Sequence, residues 1–194
     1  MTNPLSIKNA LISVSDKHKL KDSGLTESLS NWDINIYATD STYDFLNSEG
    51  VKNLNKVSSL TGSNEMLNGK VKTLHPRIFA GILFDRYNKE ECKEIKLHSI
   101  APIGMTIVDL YPVQNSASLR MDIGGHALIR ASIKNYRHVW CVTPKLYHHL
   151  DNILRGKTST VYDHFPERRD FAKNAVLYVR ESGQELSNYG EYNG

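Results

Sequence analysis

Ala10-Leu11-Ile12-Ser13-Val14-Ser15-Asp16-Lys17 is an apolar run that ends abruptly in a hydroxyl, an acid and a base. Residues 10–14 read as a buried strand, and Lys17 to Leu29 as one amphipathic helix with Leu20, Leu25 and Leu29 inward. The same alternation continues along the chain. Ile34 to Ala38 predicts a second strand, with a helix following from Thr42 to Ser48. Ile103 to Leu110 and His138 to Val142 predict further strands, separated by a helix over Ala127–Lys134. Strands divided by helical segments specify an α/β fold of three layers, a mostly parallel sheet with helices on both faces. In such a sheet ligands gather at the carboxyl ends of the strands, where loops enter helices.

The chain has 194 residues, 40% of them hydrophobic and 23% charged, which fits one well-buried globular domain spanning residues 1–194. Its apolar runs fall far short of the roughly 20 residues that span a bilayer. The polar start, with Lys8 interrupting the first apolar stretch, does not read as a signal peptide, so a cytoplasmic protein is expected. Cys92 and Cys141 have no CxxC or Cys/His companions and read as unpaired thiols, and His148-His149 as surface residues, so no metal is expected. The net charge of +3 is spread along the chain without the basic stripe of a nucleic-acid binder, although it suits a small anionic ligand. Val57 to Gly69 reads as a long loop and Leu186 to Gly194 as a frayed tail.

Five segments carry groups suited to chemistry. At the first strand-to-helix junction Ser15 can cap the helix, Asp16 follows it, and Lys17 adds a mobile cation; the same residues make either a phosphate cradle or a capped helix with a solvated lysine. Thr39-Asp40-Ser41-Thr42 brings three hydroxyls to the next helix start, but the Asp40 carboxylate would repel a phosphate there. In Gly69-Lys70-Val71-Lys72-Thr73-Leu74-His75-Pro76 the two lysines would share one face if the segment is extended, and Pro76 holds His75 out of a helix. Asp109-Leu110-Tyr111-Pro112 closes a buried strand. Asp122-Ile123-Gly124-Gly125 precedes Arg130 and Lys134-Asn135. Asp122 and Lys134 form an acid/base pair only if the glycines break the helix, since one straight helix would hold them about 18 Å apart.

Taken together and in this order, the segments resemble the IMP cyclohydrolase domain of the bifunctional AICAR transformylase/IMP cyclohydrolase family. The matching stretches are Ser13-Val14-Ser15-Asp16-Lys17, Val71-Lys72-Thr73-Leu74-His75-Pro76, Leu110-Tyr111-Pro112, Asp122-Ile123-Gly124-Gly125, Arg130-Ala131 and Lys134-Asn135. Thr61-Gly62 and Glu65-Met66-Leu67 fit the family's loop before the lysine motif. The resemblance implies a methylglyoxal-synthase-like fold, a homodimer, a purine nucleotide substrate and the cyclisation of formyl-AICAR (FAICAR) to IMP in purine biosynthesis. It implies no cofactor. The transformylase domain is absent from these residues, and a separate transformylase partner is implied. By matching positions Lys134 is the proton donor or acceptor, assisted by Asp122. Lys72 and Tyr111 polarise and orient the reacting groups, while Ser15, Lys17, Thr39, Thr73 and Gly124 hold the nucleotide.

The chain also departs from that pattern. Thr39-Asp40-Ser41-Thr42 stands where the family has two cradle glycines, and Lys70 replaces an arginine. Asp109 stands where the family has an asparagine, an acceptor in place of a donor amide. The segment between Pro112 and Asp122 is shorter than in the family. Lys173-Asn174-Ala175-Val176-Leu177-Tyr178 replaces the family's His-Thr-Ala-x-Tyr-Asp. Two classes follow: a cyclohydrolase, including one with an altered substrate, or a catalytically weak or inactive phosphometabolite-binding protein on the same scaffold.

Overall fold

The computed structural model describes residues 5, 7–63, 67, 71–112, 121–157 and 164–191. Its elements in chain order are β1 (Asn9–Val14), α1 (Lys17–Asp22), α2 (Leu25–Ser30), β2 (Asn35–Ala38), α3 (Asp40–Ser48), β3 (Leu54–Lys56), α4 (Ser58–Thr61), α5 (Pro76–Leu83) and α6 (Lys89–Leu97). There follow β4 (Met105–Asp109), α7 (Ile123–Lys134), β5 (Trp140–Val142), a 3₁₀ turn at Pro144–Leu146, α8 (Tyr147–Leu154) and α9 (Phe165–Glu191). Five strands form one all-parallel sheet in the order β3-β2-β1-β4-β5. Register is set at the centre, where Ile12 pairs with Ala38 on one side and with Ile107 on the other.

Because side chains alternate along a strand, β1 feeds two cores. Ala10, Ile12 and Val14 join one cluster with Leu20, Leu25, Leu29, Trp140, Tyr147 and Phe171. Leu11 points to the other, with Ile78, Ile82, Leu128, Ile129 and Cys141. The helix α9 closes the β5 edge by reaching both: Phe171 meets the Trp140 ring edge-on at 5.1 Å, and Ala175 and Val179 belong to the second cluster. Among the described residues no helix is long and apolar enough to cross a membrane.

Several elements depart from the sequence expectations. The single helix over Lys17–Leu29 is two, broken at Ser23–Gly24, with Gly24 in the left-handed region at φ 77°. At the break Arg155, which follows α8 and pairs with Asp151 one turn back, donates to the Gly24 carbonyl. The helix α3 begins at Asp40, two residues before its expected start. The expected loop from Val57 contains the short α4, and the polar triplet Leu54–Lys56 pairs with β2 as the sheet's edge. Pro76 starts α5 at its first turn, as its fixed φ favours, and Asn88 caps α6 by accepting from the amides of Glu90 and Glu91. The expected tail is helical to Glu191, because propagating an established helix costs far less than nucleating one. Above all, Gly124 and Gly125 do not break α7, which runs unbroken from Ile123 to Lys134.

Replacing Phe171 with Ala should remove the wedge between α9 and β5 and destabilise the fold by about 3–5 kcal/mol. Urea unfolding of the two proteins measures this. A loss below about 1 kcal/mol would show that the site collapses freely around the gap.

Candidate functional site

The chain leaves β1 towards β2 on one side of the sheet, whereas β4 leads to β5 on the other. The crevice between their carboxyl ends is therefore the topological switch point. Val14 and Asp109 are register partners there. The amide of Ser15 donates to the Asp109 carbonyl at 3.1 Å, and the amide of Asp16 to the Asp109 carboxylate at 2.8 Å. Asp16, not the expected Ser15, caps α1 by accepting from the His18 amide. Lys17 folds back so that its ammonium donates to the carbonyls of Val14 and Ser15, at 3.3 and 3.1 Å.

Asp109 itself is buried, at 3% exposure. One carboxylate oxygen takes the Asp16 amide, the other a hydrogen bond from the Tyr178 hydroxyl at 2.9 Å, and the ammonium of Lys19 lies 3.8 Å away. The same Tyr178 oxygen accepts from the Leu110 amide at 3.0 Å. Tyr147 presents a second buried hydroxyl, one without a hydrogen-bond partner among the described residues, and burial together with the negative charges of Asp109 and Asp16 keeps its proton on.

At the end of β2 the Thr39 hydroxyl donates to that of Thr42, which in turn ties α3 to both the amide and carbonyl of Val14. Thr42 is wholly buried, so its hydroxyl belongs to the wall behind the crevice and does not line it. Ser41 faces solvent. Asp40 pairs with Lys56 at 3.4 Å, and Thr39, Asp40, Val57, Ser58, Ser63 and Lys72 line one small cleft. Lys72 and Thr73 lie in a turn and not in the extended segment that would align two lysines; Lys70, like Glu65 and Met66, falls outside the described residues. His75 is extended, as its proline neighbour requires, and its Nδ1 caps α5 by accepting from the Arg77 amide.

The Asp122-Ile123-Gly124-Gly125 turn closes the crevice from the β4 side. Asp122 caps α7 by accepting from the Gly125 amide at 2.7 Å, and the Tyr111 amide also donates to its carboxylate. A Cβ on Gly124 would lie 2.5 Å from the Thr73 hydroxyl; one on Gly125 would strike Leu110 and the Asp122 carboxylate at 2.6 and 2.5 Å. Both glycines therefore serve close packing of the turn against Thr73 and Leu110. The Tyr111 hydroxyl donates to the Met121 carbonyl at 3.0 Å.

Thus Ser15, Asp16, Lys17, Thr39, Asp40, Lys72, Thr73, Asp109, Tyr111, Asp122 and Gly124 gather at the carboxyl edge of the sheet. Lys134 does not. It closes the far end of the straight α7, about 18 Å from Asp122, and is exposed in an open groove with Arg130, Ile133, Val176, Val179 and Arg180. An acid/base pair of Asp122 and Lys134 within one chain is excluded by that helix. Lys19, Tyr147 and Tyr178, which the sequence reading does not single out, belong to the crevice.

Burial pushes the Asp122 carboxyl above the usual carboxylate range, against the pull of the Gly125 and Tyr111 amides. Because the folded protein holds this proton to higher pH than the unfolded chain, stability falls as pH rises from the unfolded carboxylate range through the folded pKa. Asp122→Asn keeps an oxygen for the Gly125 amide without the buried charge. Relative to wild type its stability should be higher at pH 7 than at pH 4, whatever constant offset comes from losing one acceptor oxygen beside the Tyr111 amide. A lower melting temperature for the variant at pH 7 than at pH 4, each relative to wild type, would reverse this assignment.

Residues 24–142 match the model of the MGS-like domain family. The chain is 40% identical, over 90% of its length, to the bifunctional purine biosynthesis protein PurH of Acetivibrio thermocellus. It is 38% identical, over 96% of its length, to PurH of Bradyrhizobium diazoefficiens. It spans only 37% and 36% of those two proteins. In three dimensions it resembles the crystal structure of ForH, with a TM-score of 0.77 and 24% identity over 95% of this chain and 99% of that one. That likeness carries the fold, and the sequence matches carry the ancestry: the chain belongs to the family of MGS-like domains and is homologous to the MGS-like part of PurH.

Proposed function

We propose that this chain is an IMP cyclohydrolase acting on FAICAR, with each active site completed by a second copy. The observation that carries the reading is the gathering of Lys72, Thr73, Tyr111 and Asp122 around the crevice that also holds Lys17 and Thr39. In the reaction the carboxamide nitrogen attacks the formyl carbon, forming the ring C–N bond. The former formyl oxygen then leaves as water, taking one proton from the carboxamide nitrogen and one from the formamide nitrogen. The site must move those protons and hold an oxyanion between the two stages. Lys72 and Tyr111 orient the formyl oxygen, and Asp122 exchanges protons at the ring-closing edge. Lys17, Thr39 and Thr73 hold the nucleotide. A transformylase activity, on this protein or another, would supply the formylated substrate.

Lys134, the assigned proton donor or acceptor, can meet the same ligand only from another chain, because its own helix holds it about 18 Å from Asp122. The surface around it suits such a partner. Val176 is half exposed on α9, and the groove of about 480 Å³ beside Lys134 has Ile133, Val176 and Val179 among its walls. In a twofold dimer each copy would lend its Lys134 to the other, giving two composite sites.

Lys134→Ala and Asp122→Ala should each lower turnover by about 10²–10⁴-fold. Mixed and allowed to exchange subunits, the two variants should regain about a quarter of wild-type activity, because one site in each mixed dimer is intact. No recovery from variants that still dimerise would exclude the composite site. Absence of IMP from wild type and FAICAR would exclude the cyclohydrolase.

One observation favours the weaker-binding class: Asp40 lies in the cleft with Thr39 and Lys72, where a phosphate dianion would meet its charge. Its ion pair with the half-exposed Lys56 offsets this only in part. Asp40→Gly should therefore tighten IMP binding in calorimetric titration, since it removes the repulsion and releases Lys56. Equal or weaker binding would assign Asp40 to a ligand group other than phosphate and point to an altered substrate.

A further inference from the structure

We propose that Tyr178, at the middle of α9, is a positioning residue for this site: by holding Asp109 and the Leu110 amide it fixes the segment that carries Tyr111. The inference rests on the cyclohydrolase reading for its catalytic consequence, but not for its structural one. Its ground is the double use of one oxygen. The Tyr178 hydroxyl donates to Asp109 at 2.9 Å and accepts from the Leu110 amide at 3.0 Å, so it bridges two consecutive residues at the point where β4 becomes the Leu110-Tyr111-Pro112 turn. Asp109 passes the constraint on. Its other oxygen takes the Asp16 amide, so the β1–α1 corner bearing Lys17 is pinned to the same carboxylate.

Burial makes the arrangement strict. Asp109 is 3% exposed, and a carboxylate so placed must find donors inside the protein. Lys19, at 3.8 Å and largely exposed, is beyond hydrogen-bonding distance. Among the described residues the Tyr147 hydroxyl has no hydrogen-bond partner, so it does not share the task with Tyr178 in this structure. Removing the Tyr178 hydroxyl leaves two polar groups unmet at once, both within two residues of Tyr111. Tyr111 in turn donates its amide to Asp122 and its hydroxyl to the Met121 carbonyl. The bridge thus joins α9 to both flanks of the crevice.

The test uses the full chain in three forms: Tyr178→Phe, Asp109→Asn and the double variant. Glu181→Gln, which loosens only the exposed Lys145 pair on α9, is the control. Amide hydrogen exchange comes first and needs no ligand. Tyr178→Phe should speed exchange at Leu110, Tyr111 and Asp16, and leave the Ile12 and Ile36 amides of the sheet centre unchanged. Uniformly faster exchange, or none, overturns the positioning role whatever the protein catalyses. With FAICAR, Tyr178→Phe should lower kcat about tenfold, the equivalent of one lost hydrogen bond, with KM nearly unchanged. If Tyr178 acts through Asp109, the double variant should be no slower than the slower single one. Additive losses, or an equal loss in Glu181→Gln, would mean that α9 contributes only general stability. Failure of wild type to form IMP would end the cyclohydrolase reading while the exchange result stands on its own.

Discussion

The parallel pairing of β1 with β4 is the contact on which the rest of the molecule depends. It joins two strands whose connections leave in opposite directions, and so opens the sheet at one place along its carboxyl edge. The register of that pair sets Val14 against Asp109, which brings the Ser15–Lys17 corner beside the Leu110–Pro112 turn. Neighbouring pairs then fall into place: β2 delivers Thr39, and the start of α7 delivers Asp122. Ser15, Thr39 and Asp109 need no long loop to reach the crevice, because their strands end there already.

Two physical demands meet in that crevice. Close packing calls for glycine at 124 and 125, where a side chain would collide with Thr73, Leu110 or Asp122. Polar satisfaction calls for donors around two carboxylates, one at the end of β4 and one at the cap of α7. The protein answers mostly with backbone amides, those of Asp16, Tyr111 and Gly125, which are held by the sheet and a helix end. Such donors are fixed by the fold, so they hold the two carboxylates in place without any side chain having to be ordered.

The strands β1 and β4 were legible because they are buried on both faces and so read as apolar runs, and their alternation with helices gave the parallel sheet. The edge strand β3 was not, since Leu54-Asn55-Lys56 has a solvated side and carries no period-two signal over three residues. Nor was the break at Gly24: Leu20, Leu25 and Leu29 keep a helical spacing across it, and the Arg155 that meets the Gly24 carbonyl comes from a remote part of the chain. In the crevice, the residues supplied by strand ends were readable as motifs. Tyr178 was not, because a tyrosine between Ala175 and Val179 looks like ordinary core. A signal was nonetheless present: a tyrosine on an apolar stripe needs a partner for its hydroxyl, and an aspartate closing a buried strand needs a donor. The separation of Asp122 from Lys134 was stated by helix geometry alone, once the glycines were found inside α7.

The bond between Tyr178 and Asp109 spans 69 positions of sequence. During synthesis at about 5–20 residues per second, β1, β2 and β4 have emerged seconds before the residue that fixes the floor of the crevice. In that interval the nascent chain holds a nearly complete sheet with Asp109 short of a donor and the β5 edge uncovered. The arrival of α9 supplies both the hydroxyl and the apolar cover of Phe171. Maturation of the crevice is thereby tied to α9, and a ribosome that stalls before it leaves a chain with most of the fold and an unfinished site.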